Sequence, residues 1–253
     1  MIADSAARLR ENIRKVIVGK AEIIDLALIA ILCEGHLLLE DVPGTGKTTL
    51  AKTIAASLGC TFRRVQFTPD LLPSDVTGIY YFNQKAQEFE FRPGPVMAQI
   101  LLADEINRAT PRTQSALLEA MQERQVTVDI ATHALPRPFL VMATQNPIEL
   151  EGTFPLPEAQ LDRFLMKVAL GYPDEADENA MLLRFERTDP LDTLAAVVGP
   201  DDIIAMQTQV RAVRVEESVR HYVVDVCRAT RRHDDILLGA SPRATLALYR
   251  TCQ

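Results

Sequence analysis

The chain has 253 residues, 47% of them hydrophobic and 24% charged, enough apolar material to bury a sizeable core in one large domain or two smaller ones. Fifteen prolines against eleven glycines, with no low-complexity tract, exclude a long disordered linker. The net charge of −7 is spread over both halves and argues against a duplex-binding surface, which would concentrate Lys and Arg to displace counterions.

From the amino end, Leu9, Ile13, Val16 and Ile17 recur at helical spacing, and residues 23–32 form a second apolar helical run, with the apolar turn Val16-Ile17-Val18-Gly19 leading into it. Residues 36–40 read as a short buried strand, and a glycine-rich loop follows directly. Residues 48–58 read as a helix closed by Gly59, then 62–67, 100–103, 139–143 and 164–170 as strands. Five apolar strands separated by helices predict a parallel α/β sheet. Thr110 is the expected N-cap of a helix with Pro111 in its first turn and Leu117, Leu118 and Met121 on its apolar face.

Two hairpins interrupt this plan. Ile79 to Phe82 and Phe89 to Phe91 flank a polar turn, and Val126 to Val128 is expected to pair with Phe139 to Val141. After the turn at Gly171-Tyr172-Pro173 helical patterns dominate, so a boundary is placed between residues 1–171 and 172–253. No signal peptide and no run of about 18 uninterrupted apolar residues is present. Cys33, Cys60, Cys227 and Cys252 have neither zinc nor disulfide spacing, so the expectation is a cytoplasmic chain with reduced thiols.

The run from Asp41 through Pro43, Gly44, Thr45, Gly46, Lys47, Thr48 and Thr49 fits a phosphate-binding loop, except that Asp41 stands where glycine is usual. Glycines let backbone N–H groups turn to phosphate oxygens, Lys47 brings a charge to the β- and γ-phosphates, and Thr48 offers a hydroxyl to Mg²⁺. Asp104 and Glu105 end an apolar strand, where open α/β sheets bind ligands; the first suits a Mg²⁺ shell and the second a base for an attacking water. Asn146 ends the next strand and can hold that water. Arg163 precedes the last strand and is of the type that stabilises charge on a transferring phosphoryl group, while Arg243, at a helix start, is placed folded back over the nucleotide.

Taken with the runs Phe67-Thr-Pro-Asp-Leu-Leu-Pro-Ser-Asp, Ala103-Asp-Glu-Ile-Asn-Arg-Ala and Phe154-Pro-Leu-Pro-Glu-Ala-Gln-Leu-Asp-Arg-Phe, the chain resembles the MoxR family of AAA+ ATPases over essentially its whole length. The resemblance implies an AAA+ core with a five-stranded parallel sheet and a helical lid that stops one or two helices short, with ATP and Mg²⁺ as cofactors. It implies Lys47 and Thr48 in Walker A, Asp104 and Glu105 in Walker B, Asn146 as sensor 1, Arg163 as arginine finger, Arg243 as sensor 2, and Val16 to Gly19 around the adenine. The hairpins map to 79–91 and 123–143 and face a pore or client. A ring, a hexamer, follows from an arginine finger, and relatives act as chaperones with partners bearing a von Willebrand factor A domain.

Two other readings compete with an ATP-driven chaperone. A nucleic-acid motor shares the inserted hairpins, but only Lys85 brings positive charge to the first tip. An assembly switch with little turnover could dispense with the base that Glu105 supplies.

Overall fold

The computed structural model describes residues 2–129, 131–148, 152–186 and 188–253. In chain order the elements are α1 (Ile2–Arg14), α2 (Ala21–Leu32), β1 (Leu37–Glu40), α3 (Lys47–Ser57), β2 (Phe62–Gln66), α4 (Pro73–Thr77), β3 (Gly78–Asn83), β4 (Glu88–Pro93) and β5 (Ile100–Asp104). They continue with α5 (Pro111–Glu123), β6 (Gln125–Val128), β7 (Ala131–Ala134), β8 (Leu140–Gln145), α6 (Glu158–Leu161), β9 (Met166–Val168), α7 (Glu175–Phe185), α8 (Pro200–Arg211), α9 (Glu217–Thr230) and α10 (Pro242–Thr251).

Five strands form one parallel sheet in the order β2-β5-β8-β1-β9. Successive side chains in a strand point to opposite faces, so the apolar runs divide between two cores. Leu37, Leu39, Ile100, Leu102, Leu140 and Met142 pack with residues of α1, α2, α3 and α8. Leu38, Leu101, Ala103, Val141 and Ala143 pack with Leu117, Leu118 and Met121 of α5. Such two-sided burial makes the inner strands β1, β5 and β8 apolar runs, whereas the edge strands β2 and β9 carry Arg63, Arg64 and Lys167.

The first hairpin, β3–β4, forms as expected, with Phe82 opposite Phe89 and Tyr80 opposite Phe91. The second differs from expectation: Val126 pairs with His133 and Val128 with Ala131, not with residues 139–141. Residues Leu140 to Gln145 are taken up by the sheet centre between β5 and β1, which leaves no free edge for a hairpin partner. Ile130, part of the expected hairpin segment 123–143, lies outside the described residues.

The carboxyl-terminal helices begin past Gly171, yet they are not isolated from the sheet. Val198, Ile203 and Met206 join the first core, Gln207 Nε2 donates to Ile31 O at 2.7 Å, and the strap before α8 is tied down by Asn12 Nδ2 to Ala195 O at 3.0 Å. Parallel strands put every loop that follows a strand on one edge of the sheet, which gathers the residues after β1, β5 and β8 into one cleft.

Candidate nucleotide-binding site

Gly44 and Gly46 have φ of +86° and +88°, and a Cβ at either would meet nothing within 4 Å. Glycine is required here for backbone conformation, because an L side chain resists positive φ. Gly46 precedes Lys47 at the amino end of α3, so the unpaired N–H groups of the first turn and the helix dipole face the loop. Lys47 Nζ donates to Asp41 O at 3.0 Å and to Val42 O at 2.6 Å, which folds the ammonium back onto its own loop.

Asp104 and Glu105 meet this loop from the end of β5. Asp104 is buried; its Oδ1 accepts from Thr144 Oγ1 at 2.6 Å and its Oδ2 from Arg64 Nε and Nη2 at 3.0 and 2.7 Å. Glu105 holds a left-handed backbone, φ 55° and ψ 52°, with its N–H donated to Thr144 Oγ1 at 2.8 Å. A non-glycine residue held in that region stores on the order of 1 kcal/mol of strain, which is characteristic of sites where side-chain aim matters. Gln66 Nε2 donates to Glu105 Oε2 at 2.6 Å, and Arg108 Nη1 lies 3.2 Å from the same oxygen. Asn146, buried at the end of β8, accepts from Ile148 N–H through Oδ1 at 3.1 Å.

Together Pro43, Gly44, Gly46, Lys47, Thr48, Thr49, Asp104, Glu105 and Asn146 line one cleft of about 440 Å³, shared with Asp41, Arg64, Gln66, Thr144 and Gln145. Thr45, also in the loop, is absent from that wall and donates its hydroxyl to Val42 O at 3.3 Å. A hydroxyl and one buried carboxylate beside a phosphate site are the hard oxygen donors that Mg²⁺ takes from a protein, the remainder being phosphate and water, so the donor set fits that ion. Arg64, Gln66 and Thr144 were not singled out from sequence. The available signal was the polar alternation Arg64-Val65-Gln66 in a strand otherwise expected to be apolar.

Other predicted residues lie elsewhere. Val16 is buried, Ile17 packs on the first core, and Gly19, at φ +69°, lies so close to α7 that a Cβ would overlap the Asp177 carboxylate. Lys20 Nζ donates to Tyr172 O at 2.9 Å, so the turn from Val16 to Gly19 abuts the start of the carboxyl-terminal helices instead of the 440 Å³ cleft.

Arg163 and Arg243 do not line the cleft either. They line a separate cavity of about 690 Å³ that also carries Arg124, Arg137, Arg211 and Arg250. Because Gly35, His36, Phe139 and Leu165 precede β1, β8 and β9, this cavity sits at the amino ends of the strands, opposite the phosphate loop. Arg243 is therefore not folded over the nucleotide cleft of its own chain. Ser241 Oγ donates to Asp162 Oδ1 at 2.6 Å and Arg243 Nη1 lies 3.6 Å from Asp162 Oδ2, which fixes the start of α10 beside Arg163. Arg163 Nη1 donates to Leu118 O at 3.0 Å, and its buried Nε has no hydrogen-bond partner among the described residues.

A strand–loop–helix shaped to cradle phosphate, with an acidic pair at the end of β5, separated from β1 by β8, defines a P-loop ATPase. A profile of the ATPase family associated with various cellular activities matches residues 36–166. The chain is 54% identical over 243 residues to the uncharacterized protein YeaC of Bacillus subtilis, covering 96% of this chain and 76% of that one. It is 44% identical over 246 residues to the chaperone MoxR1 of Mycobacterium tuberculosis, 94% of this chain but only 65% of that relative's length. A solved structure described as a candidate ATPase of Cytophaga hutchinsonii superposes with a TM-score of 0.91 at 41% identity, over 98% of this chain and 78% of that one. The chain belongs to the MoxR family of AAA+ ATPases.

Proposed function

We propose that this chain hydrolyses ATP to ADP and phosphate and uses the cycle to remodel or activate partner proteins. The observation that carries the reading is the convergence of Lys47, Thr48, Asp104, Glu105 and Asn146 on one cleft. Residues 1–171 serve as the nucleotide-binding unit and 172–253 as a helical lid.

In this reading Lys47 leaves the carbonyls of Asp41 and Val42 for the β- and γ-phosphate oxygens, a stronger charge-assisted pairing. Thr48 Oγ and the Asp104 carboxylate would hold Mg²⁺, which when bound draws negative charge from the phosphate oxygens. Asn146 orients the attacking water, and Glu105 accepts its proton once the side chain leaves Gln66. Adenine lies towards Val16 to Gly19. Besides Lys47 the cleft is lined by one further cation, Arg64, whose guanidinium is held by the Asp104 carboxylate, so the transition state gains from another positive charge at the far side of the γ-phosphoryl group.

A neighbouring copy can supply it. The arginine-rich cavity is at the opposite end of the sheet from the cleft, so head-to-tail packing brings Arg163 and Arg243 of one subunit towards the nucleotide of the next. Such packing closes into a ring, here a hexamer. The relative named as a chaperone supports a protein client, and a partner with a von Willebrand factor A domain is the family expectation. No helix among the described residues is long and apolar enough to cross a membrane, and the four cysteines are unpaired, in keeping with a cytoplasmic site of action.

Steady-state ATPase activity against protein concentration, with native mass measured with and without ATP-Mg²⁺, tests the reading. Specific activity that rises with concentration, together with an ATP-dependent ring, supports it. ATP-dependent assembly with negligible turnover would favour a switch, and stimulation by nucleic acid would favour a motor.

A further inference from the structure

Asp41, the residue that departs from the usual phosphate-loop pattern, is buried, and both of its carboxylate oxygens accept a hydrogen bond. Its Oδ1 accepts from Val42 N–H at 2.8 Å, inside the loop, and its Oδ2 from Gly171 N–H at 2.6 Å, across the chain. Gly171, at φ +63°, is the turn by which the chain leaves the last strand for α7. The Asp41 N–H donates to Gln145 O at 3.1 Å, beside Asn146, and the Asp41 carbonyl accepts from Lys47 Nζ. One residue thus touches the phosphate-binding lysine, the loop backbone, the end of β8 and the root of the carboxyl-terminal helices.

We propose that Asp41 is a positioning residue that couples phosphate binding by Lys47 to the hinge at Gly171. The inference rests on the ATP-binding reading of the cleft. When Lys47 turns from the Asp41 carbonyl to phosphate, the Asp41–Val42 peptide loses a restraint on one side while its carboxylate stays fixed to Gly171 on the other. Rotation of that peptide is therefore passed to the hinge through a charged hydrogen bond, and from there to α7, which packs on Gly19. Glycine at position 41 would permit the same loop but has no oxygen with which to reach Gly171. Each carboxylate oxygen accepts one backbone N–H, which holds the side chain between the loop and Gly171.

Amide hydrogen exchange of the chain, with and without saturating ATP-Mg²⁺, tests the coupling in wild type, Asp41→Gly and Asp41→Asn. A bound nucleotide stabilises the closed loop, so in the wild type the Gly171 amide and residues 171–185 should exchange roughly tenfold more slowly or better with ATP, as should the first turns of α3. In Asp41→Gly α3 should still respond to ATP, while Gly171 exchanges fast and no longer responds, and kcat should fall with KM kept within a few-fold; Asp41→Asn, which keeps one oxygen for Gly171 or Val42 but no charge, should fall between this variant and the wild type. A Gly171 amide that ignores ATP in the wild type, or one that still responds in Asp41→Gly, overturns the coupling. An α3 that ignores ATP in the wild type would instead overturn the nucleotide-binding reading beneath it.

Discussion

Arg64 on β2 and Asp104 on β5 form a two-nitrogen ion pair at 3.0 and 2.7 Å, so an arginine occupies the carboxylate assigned to the metal. Were Asp104 to hold Mg²⁺, the guanidinium would compete with the ion for the carboxylate. Arg64 is half exposed, which limits the pair through solvent screening to about 1 kcal/mol. Arg64→Ala should therefore lower the Mg²⁺ concentration that half-maximally tightens binding of a fluorescent ADP analogue by about fivefold. A midpoint that stays put or rises would show that Arg64 does not compete.

Glu105→Gln keeps the shape of the side chain and its place beside Gln66 while removing the base. Nucleotide binding, measured by calorimetry, should stay within a few-fold, and turnover should fall on the order of a hundredfold or more. Full activity in this variant would take the water-activating role away from Glu105.

Arg163→Ala alone should bind ATP and hydrolyse it slowly, as should Glu105→Gln. Mixed in equal amounts, the two should regain part of the wild-type rate, because some interfaces then pair an intact Glu105 with a neighbour's intact Arg163. Mixtures no more active than their components would remove Arg163 from the neighbouring site.

His36 is wholly buried between Val141 N–H, which donates to Nδ1 at 3.0 Å, and Met121 O, which lies 3.2 Å from Nε2. Burial first, and the nearby Arg124 charge second, push its pKa from 6.5 down to about 3. Between those values the unfolded chain takes up a proton that the folded chain refuses, so the folded state loses up to about 1.4 kcal/mol per pH unit as pH falls below 6.5. Urea unfolding at pH 7.5 and pH 5 should show this loss in the wild type, and a smaller one in His36→Gln, which has no ring to protonate. Equal acid slopes would mean that His36 does not set the loss.

Much of the nucleotide cleft was legible because its chemistry is local. Gly44, Gly46, Lys47 and Thr48 act through one loop and the helix that follows it, and Asp104 and Glu105 through the end of one strand, so residue type and spacing suffice to place them. Strand positions were also legible, since burial on both faces writes itself as unbroken apolar runs such as Leu37 to Leu39 and Ile100 to Ala103. The pairing of the second hairpin was not, because β-prone residues 126–128 and 139–141 match each other as well as their true partners do. Only competition for the sheet centre settles which strand Leu140 joins.

Sequence by itself determined the parallel α/β core and the phosphate loop, since both depend on short-range backbone requirements and on hydrophobic period. Tertiary structure alone decided that Arg243 sits with Arg163 at the amino ends of the strands, that Arg64 and Gln66 hold the carboxylates of Asp104 and Glu105, and that Asp41 reaches Gly171. Each of these contacts joins residues from 39 to 130 positions apart, whose meeting is fixed by strand order and helix packing and leaves no periodic trace along the chain.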